Sequence, residues 1–170
     1  MKENKKKKSE LRGWIITILL SVLLSIGIQV FFQINFVSGN SMNPTLDDGE
    51  IFISLRTNWA GIERGDIVDI NSKSLSYVDS DMLVKRIIGL PGETVLFEDG
   101  KVYIDGKQLK EDYIFDNKKD RNNVLNREIK LKKDEYFILG DNRNNSTDSR
   151  ILGAIKEEHI TSKYLFSLPF

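Results

Sequence analysis

The sequence predicts a mainly β protein carried on one N-terminal transmembrane helix. Three observations predict it: a charge-free apolar span over residues 13–46, a series of short runs rich in β-branched residues beyond it, and turn dipeptides between those runs. The expected organisation is a basic tail at 1–13 on the cytoplasmic side, a transmembrane helix at 14–32, and a single all-β domain at 33–170 with a small polar insertion. About 130 residues beyond the span suffice for one domain with its own core and are too few for two large ones.

The elements follow in order. Residues 1–12 hold Lys2, Lys5, Lys6, Lys7, Lys8 and Arg12 against Glu3 and Glu10. Lysines ahead of an apolar span place the N-terminus in the cytoplasm and the rest of the chain outside, in the plasma membrane of the cell. The densest apolar part, 14–32, would make a helix about 28 Å long, close to the thickness of the bilayer hydrocarbon. A cleaved leader peptide also begins with lysines, but its apolar core is about 7–15 residues and a small-residue cleavage site follows it. Neither holds here, so a retained anchor is the better reading.

Residues 33–40 read as a short polar linker. Strands are then expected at 51–55, 67–70 and 83–88. A hairpin follows at 94–104, with Asp99-Gly100 as its turn, and Asp105-Gly106 repeats the signal. Further strands are expected at 136–139 and 164–168, and one helical turn within 155–160. The stretch 111–127 is polar and charged and reads as an exposed insertion.

Composition narrows the chemistry. Lys plus Arg and Asp plus Glu each number 25, which leaves no net charge to attract nucleic acid. The chain has no cysteine, hence no disulfide, thiolate metal site or thiol nucleophile, and it has one histidine, His159. Ligands for a tetrahedral zinc are scarce, and no metal or other cofactor is expected. A Ser/His/Asp site would have to use His159, which follows Lys156-Glu157-Glu158 and reads as a residue of an exposed turn.

Three segments carry the remaining chemistry. They are Ser41-Met42-Asn43-Pro44-Thr45-Leu46, Lys85-Arg86-Ile87-Ile88-Gly89-Leu90-Pro91-Gly92, and 140–150, which begins Gly140-Asp141-Asn142-Arg143. Serine attacks only when a base removes its proton. Lysine serves as that base when neutral, which requires desolvation or neighbouring positive charge. Lys85 sits between Leu83-Val84 and Ile87-Ile88 in an expected strand. Alternation points Arg86 to the opposite face, where it needs an acid.

These three segments, behind an N-terminal anchor and in this order, resemble the type I signal peptidases, membrane-bound Ser/Lys endopeptidases that process exported preproteins. The single anchor and compact insertion are similar to Gram-positive members. The resemblance implies Ser41 as nucleophile and Lys85 as general base. It implies that Ser146 orients the lysine amine, that Asp148 and Arg150 brace the site, and that Asp141 and Arg143 support the same loop. Met42 and Leu46 would shape the substrate groove with Val37, Leu83 and Val84. The implied partners are preproteins with small residues at positions −1 and −3 of the cut, together with the lipid membrane. Some members carry a second serine two residues before the nucleophile; here that position is Gly39, so another donor must complete the oxyanion hole.

Taken singly, each feature has a plainer reading. Ser41 beside Asn43 and Pro44 is an ordinary turn residue, Lys85 a paired strand lysine, and 141–150 a solvated loop. Two rival functions use the same residues: a self-cleaving Ser/Lys repressor-type protease, which would need a DNA-binding region, and an anchored binding protein with an inactive site.

Overall fold

In the computed structural model, which describes residues 2–76, 78, 80–114 and 127–169, with side chains from Glu10 onward except that of Arg127, the apolar span forms helix α1 (Lys2–Phe31). Its segment Glu10–Phe31 has a mean hydropathy of 2.3, and its most apolar window has no part buried in the protein. Leucines and isoleucines left uncovered over that length fit a lipid environment. The helix takes in the basic tail and ends at Phe31, one residue before the expected boundary.

No polar linker follows. Phe32 opens strand β1 (Phe32–Phe36), which pairs antiparallel with β2 (Ile51–Arg56), Phe32 opposite Leu55 and Phe36 opposite Ile51. The segment Phe32-Gln33-Ile34-Asn35-Phe36 alternates strictly, which is a strand signal. Its polarity is inverted: Ile34 and Phe36 are 62% and 68% exposed, while Gln33 and Asn35 turn toward the protein and bond each other at 2.9 Å. This is the edge of the sheet nearest α1, where an outward apolar face suits lipid better than water.

The remaining strands are β3 (Ile67–Asn71), β4 (Met82–Gly89), β5 (Thr94–Glu98), β6 (Lys101–Ile104), β7 (Lys107–Gln108), β8 (Arg127–Lys130), β9 (Glu135–Leu139), β10 (Ile155–Lys156) and β11 (Ile160–Ser167). A one-turn helix, α2 (Ser149–Leu152), falls between β9 and β10. The protein is thus mainly β, as the sequence predicts. Seven strands form one sheet in the order β1-β2-β11-β3-β4-β9-β10, and four form a second in the order β7-β6-β5-β8. Ile88, Phe137 and Leu139 of the large sheet pack on Val95, Phe97 and Val102 of the small one. A separate cluster of Val37, Met42, Leu46, Phe52 and Ile67 lies behind the Ser41 turn.

Three expectations are adjusted. Strand β11 starts four residues earlier than the sequence suggests, its register shifting between Ile160 and Ser162 and again between Tyr164 and Phe166. The turn in 155–160 is a 3-10 turn at Glu157–His159, and His159 is half-buried in it, away from the Ser41 groove. Of the expected insertion, 115–126 lie outside the described residues. Its first residue is not exposed: the Glu111 side chain is 4% exposed and pairs with Arg143, 2.5 Å away. A buried guanidinium needs that counter-charge.

Candidate active site

A groove of about 550 Å³ runs between the segment leaving β1 and the start of β4, with Ser41, Lys85 and Ser146 among its lining residues. Its β4 wall is open for a physical reason. Strand β4 pairs with β3 over Met82–Arg86, but with β9 only from Arg86 onward. One backbone edge at 82–85 is therefore left without a strand, the kind of edge to which an extended peptide adds.

Lys85 projects from this edge. It is 2% exposed, and its Nζ lies 2.8 Å from Ser41 Oγ and 2.8 Å from the Val84 carbonyl oxygen, donating to both. Burial pulls the Lys85 amine down to about 8, against the opposing pull of the Asp148 and Asp141 carboxylates. Each of those carboxylates is itself paired with an arginine, which blunts its effect on the lysine. A lysine near 8 has an appreciable neutral fraction at neutral pH. In that form the same 2.8 Å contact runs from Ser41 Oγ–H to the amine lone pair.

The loop 140–150 holds the serine turn in place. Asn142 N–H donates to the Ser41 carbonyl at 3.0 Å, and Asn142 Nδ2 to the Asn40 carbonyl at 3.1 Å. Asp141, fully buried, takes both Arg86 Nε at 2.8 Å and Nη2 at 2.6 Å, and Thr45 Oγ1 from the serine segment. Arg86, pointed away from Lys85 by strand alternation, thus meets its acid. Its guanidinium also stacks 4.1 Å over the Tyr113 ring. Asp148 accepts from Gly140 N–H at 3.1 Å and from Arg150 Nε at 2.8 Å, and it caps α2. Arg143 Nε donates to the Gly140 carbonyl at 3.0 Å.

Other placements differ from expectation. Ser146 shares the groove with Lys85 but is not among its hydrogen-bond partners; its Oγ is buried and unpartnered. Val37, Met42, Leu83 and Val84 line the groove. Leu46 does not. It is 1% exposed and packs in the core behind Met42, because the Met42–Leu46 turn rolls its side chain inward. Gly39 N–H is bonded to Asp48 at 2.7 Å, so it is not the missing oxyanion donor, whereas Ser41 N–H has no partner among the described residues.

A serine turn, a buried lysine 2.8 Å from it and an Asp/Arg-braced loop invite comparison with known proteins. The family model described as signal peptidase, peptidase S26, matches residues 11–168. The chain belongs to this signal peptidase family. Signal peptidase I T of Bacillus subtilis (strain 168) is 42% identical, over 99% of this chain and 91% of the relative. Signal peptidase I of Bacillus licheniformis is 39% identical over 96% and 92%. A solved signal peptidase I from Enterococcus faecalis V583 superposes with a TM-score of 0.51 at 32% identity, over 60% of this chain and 95% of that one.

Two residues of the candidate site have no role in the sequence reading. A Cβ on Gly140 would lie 2.3 Å from Ser146 Oγ and 2.5 Å from the Ser41 carbonyl oxygen, so only glycine lets the two segments meet. Asp69 lines the groove from β3. An acid interrupting Ile67-Val68 and Ile70 was the signal for it.

Proposed function

We propose that this membrane-anchored member of the signal peptidase family cleaves signal peptides from exported preproteins as a Ser/Lys endopeptidase. The 2.8 Å contact between a buried Lys85 amine and Ser41 Oγ carries the reading. A preprotein strand adds to the open edge at 82–85, facing the 37–41 segment. Neutral Lys85 takes the Ser41 proton as Oγ attacks the scissile carbonyl, and the oxyanion turns to the free Ser41 N–H. Lys85 then passes that proton to the departing amine. Next it draws a proton from water, whose oxygen attacks the ester, and the proton returns to Ser41 Oγ as the acid product leaves.

In this reading Ser146 offers its unpartnered hydroxyl to the lysine amine once substrate fills the groove. Asp141, Arg143, Asp148 and Arg150 hold the loop that seats Ser41. Val37, Met42, Leu83 and Val84 supply apolar walls for small side chains. The basic residues ahead of α1 favour a cytoplasmic N-terminus, which puts the groove on the outer surface of the plasma membrane, where exported chains emerge.

The test uses the detergent-solubilised full chain and a preprotein, with products read by mass. Ser41→Ala and Lys85→Ala should each lower cleavage by at least about 10²–10⁴-fold. Lys85→Arg should be as inactive as Lys85→Ala, because guanidinium keeps its proton. Cleavage surviving in Ser41→Ala would remove the nucleophile from this account.

A further inference from the structure

Asp69 is an acid where a strand core would hold an apolar side chain. It is 2% exposed, sits between Val68 and Ile70, both fully buried, and lines the groove. Side chains from three neighbouring strands form a seam with it. Asn35 Nδ2 of β1 donates to Asp69 Oδ2 at 2.7 Å and to Ser54 Oγ of β2 at 2.7 Å. Ser54 Oγ donates to Ser162 Oγ of β11 at 2.9 Å, and Ser162 Oγ donates to the same Asp69 Oδ2. Both bonds that reach the Asp69 carboxylate fall on one oxygen. Asp69 Oδ1 has no hydrogen-bond partner among the described residues.

Unlike Ser146 Oγ, this oxygen is not sealed in the core without a partner, so it opens toward the groove and is available to a donor there. Burial pushes the Asp69 carboxyl up to about 6, with Ser162 and Ser54 pulling it partly back. The group remains largely ionised at the pH where the site works, so it stays a strong acceptor.

Its place along the groove defines what it would meet. Asp69 is cross-strand partner to Val84, and both lie on the face that packs toward Met42 and Val37. In an extended substrate the side chains at −1 and −3 point to the same face, about 6.5–7 Å apart, and −2 points away. With the scissile carbonyl at Ser41, the −1 side chain lies beside Met42, the next residue in the chain. The −3 side chain would then fall further along the same face, toward Asp69 and Asn35, which line the groove.

We propose that Asp69 is a specificity-determining residue whose free Oδ1 accepts a hydrogen bond from a hydroxyl side chain, serine or threonine, at substrate position −3. The inference rests on the peptidase reading above and narrows it: the −3 subsite selects not only for small size but for a donor. A hydrogen bond to a charged acceptor corresponds to a preference of about tenfold for serine over alanine.

The experiment measures kcat/KM for three preproteins identical except for Ser, Ala or Val at −3, with wild type, Asp69→Asn and Asp69→Val. Wild type should favour Ser over Ala about tenfold. Asp69→Val should bring that ratio to about one and raise the relative rate for Val. Asp69→Asn keeps an acceptor for Asn35 and Ser162 and preserves the shape of the seam, so it serves even if the valine variant fails to fold; its ratio should fall to about two or three. A purely structural role would change all three rates together and leave the ratios alone. Equal ratios in the three enzymes, or no serine preference in wild type, would overturn the proposal while leaving the peptidase reading intact. Absence of cleavage of any preprotein by folded wild type would instead remove the reading beneath it.

Discussion

At the scale of single residues, two buried ionisable groups make opposite demands on pH. Lys85 is lowered to about 8 by burial, and only its neutral form can take the Ser41 proton. The expected result is that kcat/KM climbs as pH rises and levels off above about 8, as a pH-rate profile would record. A profile flat from pH 6 to 9 would mean that another group limits the rate. Asp69 is raised from 3.8 to about 6, so the folded chain holds a proton that the unfolded chain has released between those values. Stability from this group is therefore lost as pH rises through that window, by about 3 kcal/mol at most for a shift near two units. Asp69→Asn should accordingly be more stable than wild type at pH 7.5, with the advantage shrinking toward pH 4; thermal melts at both values would show it.

At the scale of elements, the serine turn is held by contacts from β4 and the 140–150 loop rather than by its own geometry. Gly140→Ala places a methyl against both Ser146 Oγ and the Ser41 carbonyl, which come from different segments and cannot both yield easily. It should lower kcat by about 10²-fold through a shift of Ser41, while the circular dichroism spectrum stays that of wild type. Arg86→Ala leaves Asp141 buried without its partner and should destabilise the fold by about 3–5 kcal/mol in denaturant titrations. Much of this architecture was readable in advance. Alternation in β2 to β6, and the opposite facing of Lys85 and Arg86, follow from a period of two and a need to pair buried charge. Strand β1 reads as a linker in the sequence because its five residues mix polar with apolar side chains and directly continue the apolar span. Its inverted polarity makes sense only once the neighbouring helix is in view. Glu111 was hidden for a related reason, since nothing local distinguishes an acid that will meet Arg143 from one in water. Asp69 shows as an oddity in sequence, but its four-strand seam depends on the rolled order β1-β2-β11-β3, which composition does not encode.

At the scale of the whole molecule, α1 continues directly into β1 and also touches β2 and Trp59. A chain lacking residues 2–31 keeps β1 and should fold, cleave soluble peptides, and no longer float with liposomes. Extending the deletion through residue 36 removes a wall of the groove and Asn35, the partner of Asp69, so peptide cleavage should fall sharply even where β structure persists. Comparing flotation and peptide turnover for the two deletions separates anchoring from groove construction. Helix α1 passes into β1 directly from Phe31 to Phe32, and Phe31 packs on Trp59 at 4.7 Å. A stiff junction of this kind would make helix and groove tilt together, and the height of Ser41 above the lipid would then follow from how the helix seats itself. Such a device would gauge distance as well as sequence: a scissile bond emerging a turn too near or too far from the bilayer would miss the blade, whatever side chains surround it.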